Sequence, residues 1–246
     1  MGRKHQMNRV ALPGTLGGRR EIVLDAITQQ LWSDYLRAEQ DRIRDVMLSA
    51  LDRFIRAFVR LSETSQREWA LHLASDVADQ GADIPVRFPL FERVLLPVLA
   101  AGVADERPGC ARWLAHFESQ LMNAKRIVLP DRLLSAAGLL LEALRVDPLD
   151  RRAREGLVRR RASYLRYTLH ELPAGVLYGH NGATLTECDE LLAELADFRE
   201  HVDILGDTAR FAALIDECAL HFPRYREYLA SGRAGDSYER FLASHD

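Results

Sequence analysis

The feature that most limits what this chain can fold into is a repeat of three and four. In "DRIRDVMLSALDRFIRAFVRLS", residues 41–62, apolar side chains fall at Ile43, Val46, Met47, Ala50, Leu51, Phe54, Ile55, Phe58 and Val59. A helical turn of about 3.6 residues gathers these positions onto one face, so the segment reads as an amphipathic helix. The same spacing recurs along most of the chain. Residues 21–38 hold no Gly or Pro, and the single tempting strand, "EIVLD" at 21–25, runs straight into helical spacing.

Start and stop signals divide this pattern into about ten helices. Ser65 with Glu68 has the spacing of a capping box, as does Thr184 with Glu187, because each pair can satisfy the other's free backbone N–H. Pro89 and Pro108 suit a first helical turn, which has no amide to lose. Asp131 heads "RLLSAAGLLLEALRV", Asp147 and Pro148 end that helix, and another runs to about Leu172. Gly206 and Asp207 separate two further helices, and Asp236 with Glu239 caps the last.

An apolar residue precedes proline at Phe88, Leu129, Leu172 and Phe222, and the first three recur at about the 40 residues of a helical-hairpin array. Around Ala136, Leu140, Ala143 and Pro148 the chain resembles the second helix of a tetratricopeptide repeat. The likeness covers half of one repeat, since Gln120, Asn123 and Ala124 stand where the first helix would carry Trp, Leu and Gly. What it implies is paired antiparallel helices. The expected fold is all-α: antiparallel hairpins in an α-solenoid or tetratricopeptide-like array, or an irregular helical bundle. Residues 1–19 read as a flexible arm and 20–246 as one helical domain, with a soft division near 173–184.

The chain has 246 residues, enough to bury a real core. Its longest apolar run, "VLLPVLAAGVA" at 94–104, falls short of the ~18 residues that a membrane span needs. No secretory signal is visible. Cys110, Cys188 and Cys218 are odd in number and far apart, which fits a reducing cytoplasm better than a disulfide scaffold. The net charge of -3 argues against binding nucleic acid through overall charge, though not against a local basic patch.

Charge is unevenly placed. Residues 145–166 carry eight arginines (Arg145, Arg151, Arg152, Arg154, Arg159, Arg160, Arg161 and Arg166) against Asp147, Asp150 and Glu155. Over 184–221 the balance reverses, with ten carboxylates facing only Arg199 and Arg210. Neighbouring helices of opposite sign can neutralise each other. The acids can also meet a partner.

Reactive constellations are sparse. Cys188 lies in a helical first turn near His180 and Asn181, but Glu187, Asp189 and Glu190 oppose a thiolate there. Cys218 and His221 are three apart, one ligand pair where zinc sites normally show two. The glycines of "GVLYGHNG", at Gly175, Gly179 and Gly182, fit turns. No Walker-type phosphate loop is present.

The expected function is therefore a non-enzymatic interaction module, of the size and composition of helical bacterial immunity or adaptor proteins. It would cover a basic partner surface with Glu187, Glu190, Glu194, Asp197 and Glu200. No catalytic residue, metal, cofactor or membrane is expected. The alternative is a helical enzyme or ligand-binding protein for a phosphate-bearing small molecule or RNA. It would use Arg152, Arg159, Arg166, Tyr178 and His180, the arginines sharing a face at seven-residue spacing.

Overall fold

The computed structural model describes residues 24–125, 129–172, 184–232 and 237–244. Among them there are helices and no strand, so the protein is all-α. The expected arm at 1–19 and residues 173–183 of the 173–184 stretch lie outside the described residues. Contacts along the backbone group the chain into two compact units, 1–146 and 147–246. No helix of the described residues is long and apolar enough to cross a membrane.

In the first unit, α1 (Ala26–Asp41) starts at Asp25, whose carboxylate accepts the Thr28 backbone N–H. It ends at Arg42, whose left-handed backbone lets α2 (Arg44–Phe58) double back against α1. The apolar stripe of α2 buries Met47, Ala50, Leu51, Phe54, Ile55 and Phe58, while Ile43, Val46 and Val59 stay exposed at its ends. Trp32 and Tyr35 of α1, Phe54 and Phe58 of α2 and Trp69 of α3 (Glu63–Gln80) meet at ring separations near 5 Å. Such tilted ring contacts each add about 0.5–1.5 kcal/mol beyond their buried area. The cap of α3 lies earlier than its sequence suggests: Ser62, not Ser65, is the N-cap, and its hydroxyl accepts the Ser65 N–H.

Residues 88–104 form one helical rod with a change of pitch inside it. α4 (Phe88–Leu90) carries Pro89 in its first turn, a π-helical turn covers Phe91–Leu95, and α5 (Leu96–Ala104) follows with Pro97 at its start. Proline has no N–H to donate, and its ring presses on the carbonyl four residues back. The wider π turn just ahead of Pro97 shifts the bonding register where that clash would fall. Gly109, at a φ of 87°, caps α6 (Cys110–His116), so Pro108 sits in the preceding turn and not in the helix. α7 (Glu118–Leu121) follows, then a 3-10 turn at Asp131–Leu133 and α8 (Ala136–Val146), which packs on α6. The segment headed by Asp131 is thus broken before Ala136. Gly138 accepts the turn at close quarters: a Cβ there would run into the Arg132 carbonyl oxygen.

The second unit is built from α9 (Arg151–Glu171), α10 (Leu185–Leu205), α11 (Thr208–Ala230) and the short α12 (Tyr238–Ala243). α9, α10 and α11 pack on one another, and α12 packs on α11. Asp150 caps α9 by accepting the Ala153 N–H. The Thr184–Glu187 capping box is formed in both directions, and Gly206, at a φ of 74°, closes α10 as expected. Arg226 of α11 reaches Asp189 of α10 at 2.6 Å, which marks the pair as an antiparallel hairpin. The core between the helices holds Val158, Leu165, Leu191, Leu195, Phe198, Phe211, Phe222 and Tyr225. Pro223 lies inside α11 rather than ending it, between buried Phe222 and Tyr225.

Candidate functional site

The charged residues singled out by the sequence meet in the second unit, on helices that use them in two ways. α9 has an apolar stripe at Ala153, Leu157, Val158, Ala162 and Leu165. Arg154 and Arg161 lie on that inward side and are buried, each only 8% exposed. A buried guanidinium needs partners, because stranding it costs several kcal/mol. Arg154 donates to the Pro148 carbonyl at 2.7 Å and contacts His201 Nδ1 at 2.8 Å. Arg161 pairs through Nε with Glu194 at 3.0 Å and through Nη2 with Asp197 at 3.4 Å. Its third nitrogen, Nη1, is buried without a hydrogen bond.

Two of the five carboxylates expected to meet a partner, Glu194 and Asp197, pair with the buried Arg161, with their own side chains 44% and 61% exposed. A third, Glu187, closes the capping box with Thr184. Glu190 and Glu200 are exposed on α10. With Asp203 on α10 and Asp216 and Glu217 on α11, also exposed, they make the outer side of this hairpin acidic. The outer side of α9 is basic: Arg152, Arg159, Arg160 and Arg166 are all exposed along it. Three mutually packed helices turn their outer faces away from each other, so the unit separates its two signs of charge. Tyr178 and His180, the remaining candidates for a phosphate site, lie outside the described residues.

The two inward arginines are what the sequence reading missed. Within the run of eight only Arg152, Arg159 and Arg166 are assigned a shared face, although Arg154 and Arg161 share the stripe of Leu157, Val158 and Leu165. A charged residue on an apolar stripe is a buried one, and that signal was available.

In comparisons with known proteins, no family model, no curated protein and no solved structure matches the chain. Its chemistry has to be read from its own side chains.

The three cysteines are all buried and unpaired. Burial pushes the Cys188 thiol up to about 11, and Asp189 and Glu187 add to the effect against Arg226. The Cys110 and Cys218 thiols are pushed up to about 11 and about 12, again chiefly by burial. A nucleophile or a metal ligand needs the thiolate, so these positions oppose both. Cys218 sits in the core, and the His221 imidazole is engaged by the Tyr238 hydroxyl at 3.2 Å. Among the described residues no three His, Cys, Asp or Glu side chains are grouped to hold a metal ion. The His201 pKa is lowered, by burial first and then by Arg161 and Arg154, against the weaker opposing pull of Glu200 and Asp197.

Proposed function

We propose that this protein is a non-enzymatic binding module whose α10–α11 hairpin covers a basic surface on another protein, as an immunity or adaptor protein would. The observation that carries this reading is the acidic outer side of the hairpin, where Glu190, Glu200, Asp203, Asp216 and Glu217 stay exposed after Arg161 has taken Glu194 and Asp197. Carboxylates left in solvent keep their full charge and steer an oppositely charged partner during encounter. Two further observations agree with it. The potential nucleophiles are buried thiols held in their protonated form. His201 is bound to Arg154 and is not presented to solvent as a free base. Three unpaired buried thiols also suit a reducing compartment such as the cytoplasm.

The test reverses charge where no internal pair is broken. Glu190→Lys with Glu200→Lys leaves the Arg161 pairs intact, whereas reversing Glu194 and Asp197 would confound binding with folding. Proteins captured on the wild type from cells that make it, and lost on the double variant, are candidates. For a true partner, calorimetry should give a stoichiometric complex with a basic protein. Its affinity should fall about tenfold or more in the double variant, a loss of ~1.4 kcal/mol or more. Equal affinity for both forms, or a partner without a basic surface, would count against the reading.

A further inference from the structure

We propose that the second half of α11 carries a docking groove for an amphipathic helix of another protein. The helix it takes presents a tyrosine and, three residues on, a second large aromatic side chain. In the free protein the chain's own α12 fills this groove and acts as a built-in competitor. The groove lies beyond Asp216 and Glu217 along α11, and the inference does not rest on the acidic surface invoked above.

His221, Tyr225 and Tyr228 are spaced by four and three, which places them along one face of α11. Tyr238 and Phe241, three apart on α12, are the two buried side chains of that helix. Their rings pack against those of α11. Tyr238 meets Tyr225 in a T-shaped contact at 5.1 Å and Tyr228 at 5.7 Å, and Phe241 meets Tyr228 at 5.6 Å. The phenol end of Tyr238 is read by hydrogen bonds. Its hydroxyl donates to the His221 carbonyl at 3.1 Å. A phenol has one proton to give, so in the 3.2 Å contact with His221 Nδ1 the imidazole N–H is the donor. His221 thus offers one donor and one acceptor to a single phenolic oxygen, with aromatic rings beside them.

The size of α12 makes it displaceable. It has six residues, well below the ~12–15 at which an isolated helix becomes more than marginal in water. Its helical form therefore depends on the groove. Ser237 caps it by accepting the Arg240 N–H, while Glu239, Arg240 and Ala243 are exposed. Two anchors on so short a helix can let go while α9, α10 and α11 stay packed around Leu165, Leu195 and Phe198. A helix laid in a groove through anchors at i and i+3 is a recurring mode of peptide recognition. A longer partner helix with the same two anchors keeps the phenol contacts and adds others that six residues cannot make. It has to outcompete α12, which as a tethered segment acts at an effective concentration on the order of millimolar.

The experiment titrates the synthetic peptide SYERFLASHD, residues 237–246, into the isotopically labelled full chain and follows amide chemical shifts. The receiving form is the double variant Tyr238→Ala with Phe241→Ala, in which α12 has lost its anchors. Saturable shifts at His221, Tyr225 and Tyr228 are expected there. With α12 docked nine-tenths of the time or more, the wild type should bind the peptide about tenfold more weakly, or worse. The same peptide with Tyr238→Phe should bind the double variant about three- to tenfold more weakly, since it loses the phenol hydrogen bonds while the protein is unchanged. In the wild type the Phe241 and Ser244 amides, bonded within α12, should exchange with solvent well before those of α10 and α11. Equal peptide binding by wild type and double variant would overturn the proposal, as would none to the double variant at several millimolar. So would equal binding of the Tyr238→Phe peptide. Loss of cooperative unfolding in the double variant, or exchange of α12 together with α10 and α11, would make α12 a fixed part of the core and overturn it too. Wild-type dimers that grow with concentration and vanish in the double variant would overturn it in favour of exchange of α12 between copies.

Discussion

A guanidinium only donates hydrogen bonds, so the 2.8 Å contact from Arg154 Nη1 makes His201 Nδ1 an acceptor and places the imidazole proton on Nε2. The ring is thereby held neutral, in line with its lowered pKa. The sign of the consequence follows from linkage. Folded His201 binds a proton less readily than the unfolded side chain, whose ordinary value is 6.5, so between the lowered value and 6.5 the unfolded state carries more protons. Stability should be level above about pH 7 and should fall as the pH drops through that window. Urea midpoints measured from pH 7.5 down to 5.5 should show the decline, and His201→Gln should flatten it, since an amide oxygen can accept from Arg154 without titrating. Some slope should persist in that variant, because His116 is also lowered by burial. An unchanged decline in His201→Gln would show that another group is responsible. None of this was legible from residues 154, 161 and 201 taken separately, because the ion pairs join helices 30 or more residues apart. The burial of the arginines was legible; the identity of their partners was not.

At the scale of the element, local chemistry was read well and compensated exceptions were not. Thr184 with Glu187 and Gly206 form the caps their sequence implies, because a cap involves only neighbours along the chain. Ser65 failed as an N-cap because Ser62 offers the same hydroxyl three residues earlier, which lets the helix start sooner. Pro97 and Pro223 each lie in a continuous helical rod, where proline is unfavourable, one relieved by a π turn and the other held by its buried neighbours. An interior proline costs a helix about 3 kcal/mol. Pro223→Ala should therefore stabilise the second unit by about 1–3 kcal/mol, less than the full penalty because alanine also loosens the unfolded chain. Thermal unfolding should shift upward by several degrees. A downward shift would mean that the proline ring contributes packing that the missing hydrogen bond does not offset.

For the whole molecule, the helical class was legible from periodicity alone, since that depends only on which residues are apolar. Grouping of the helices was less so. Contacts along the backbone group the chain into 1–146 and 147–246, at a boundary marked in sequence only by Asp147 and Pro148. A fragment covering 147–246 is expected to fold by itself, with helical circular dichroism and one cooperative unfolding transition. A fragment that stays unfolded would show that the unit depends on the rest of the chain. The separation of charge within this unit also changes what the net charge of -3 conveys. That figure sums the whole chain and averages away a basic helix and an acidic hairpin in the second unit, whereas a charged matrix meets one side at a time. Near neutral pH the protein should adhere to anion and cation exchangers alike, with elution set by each patch and not by the isoelectric point.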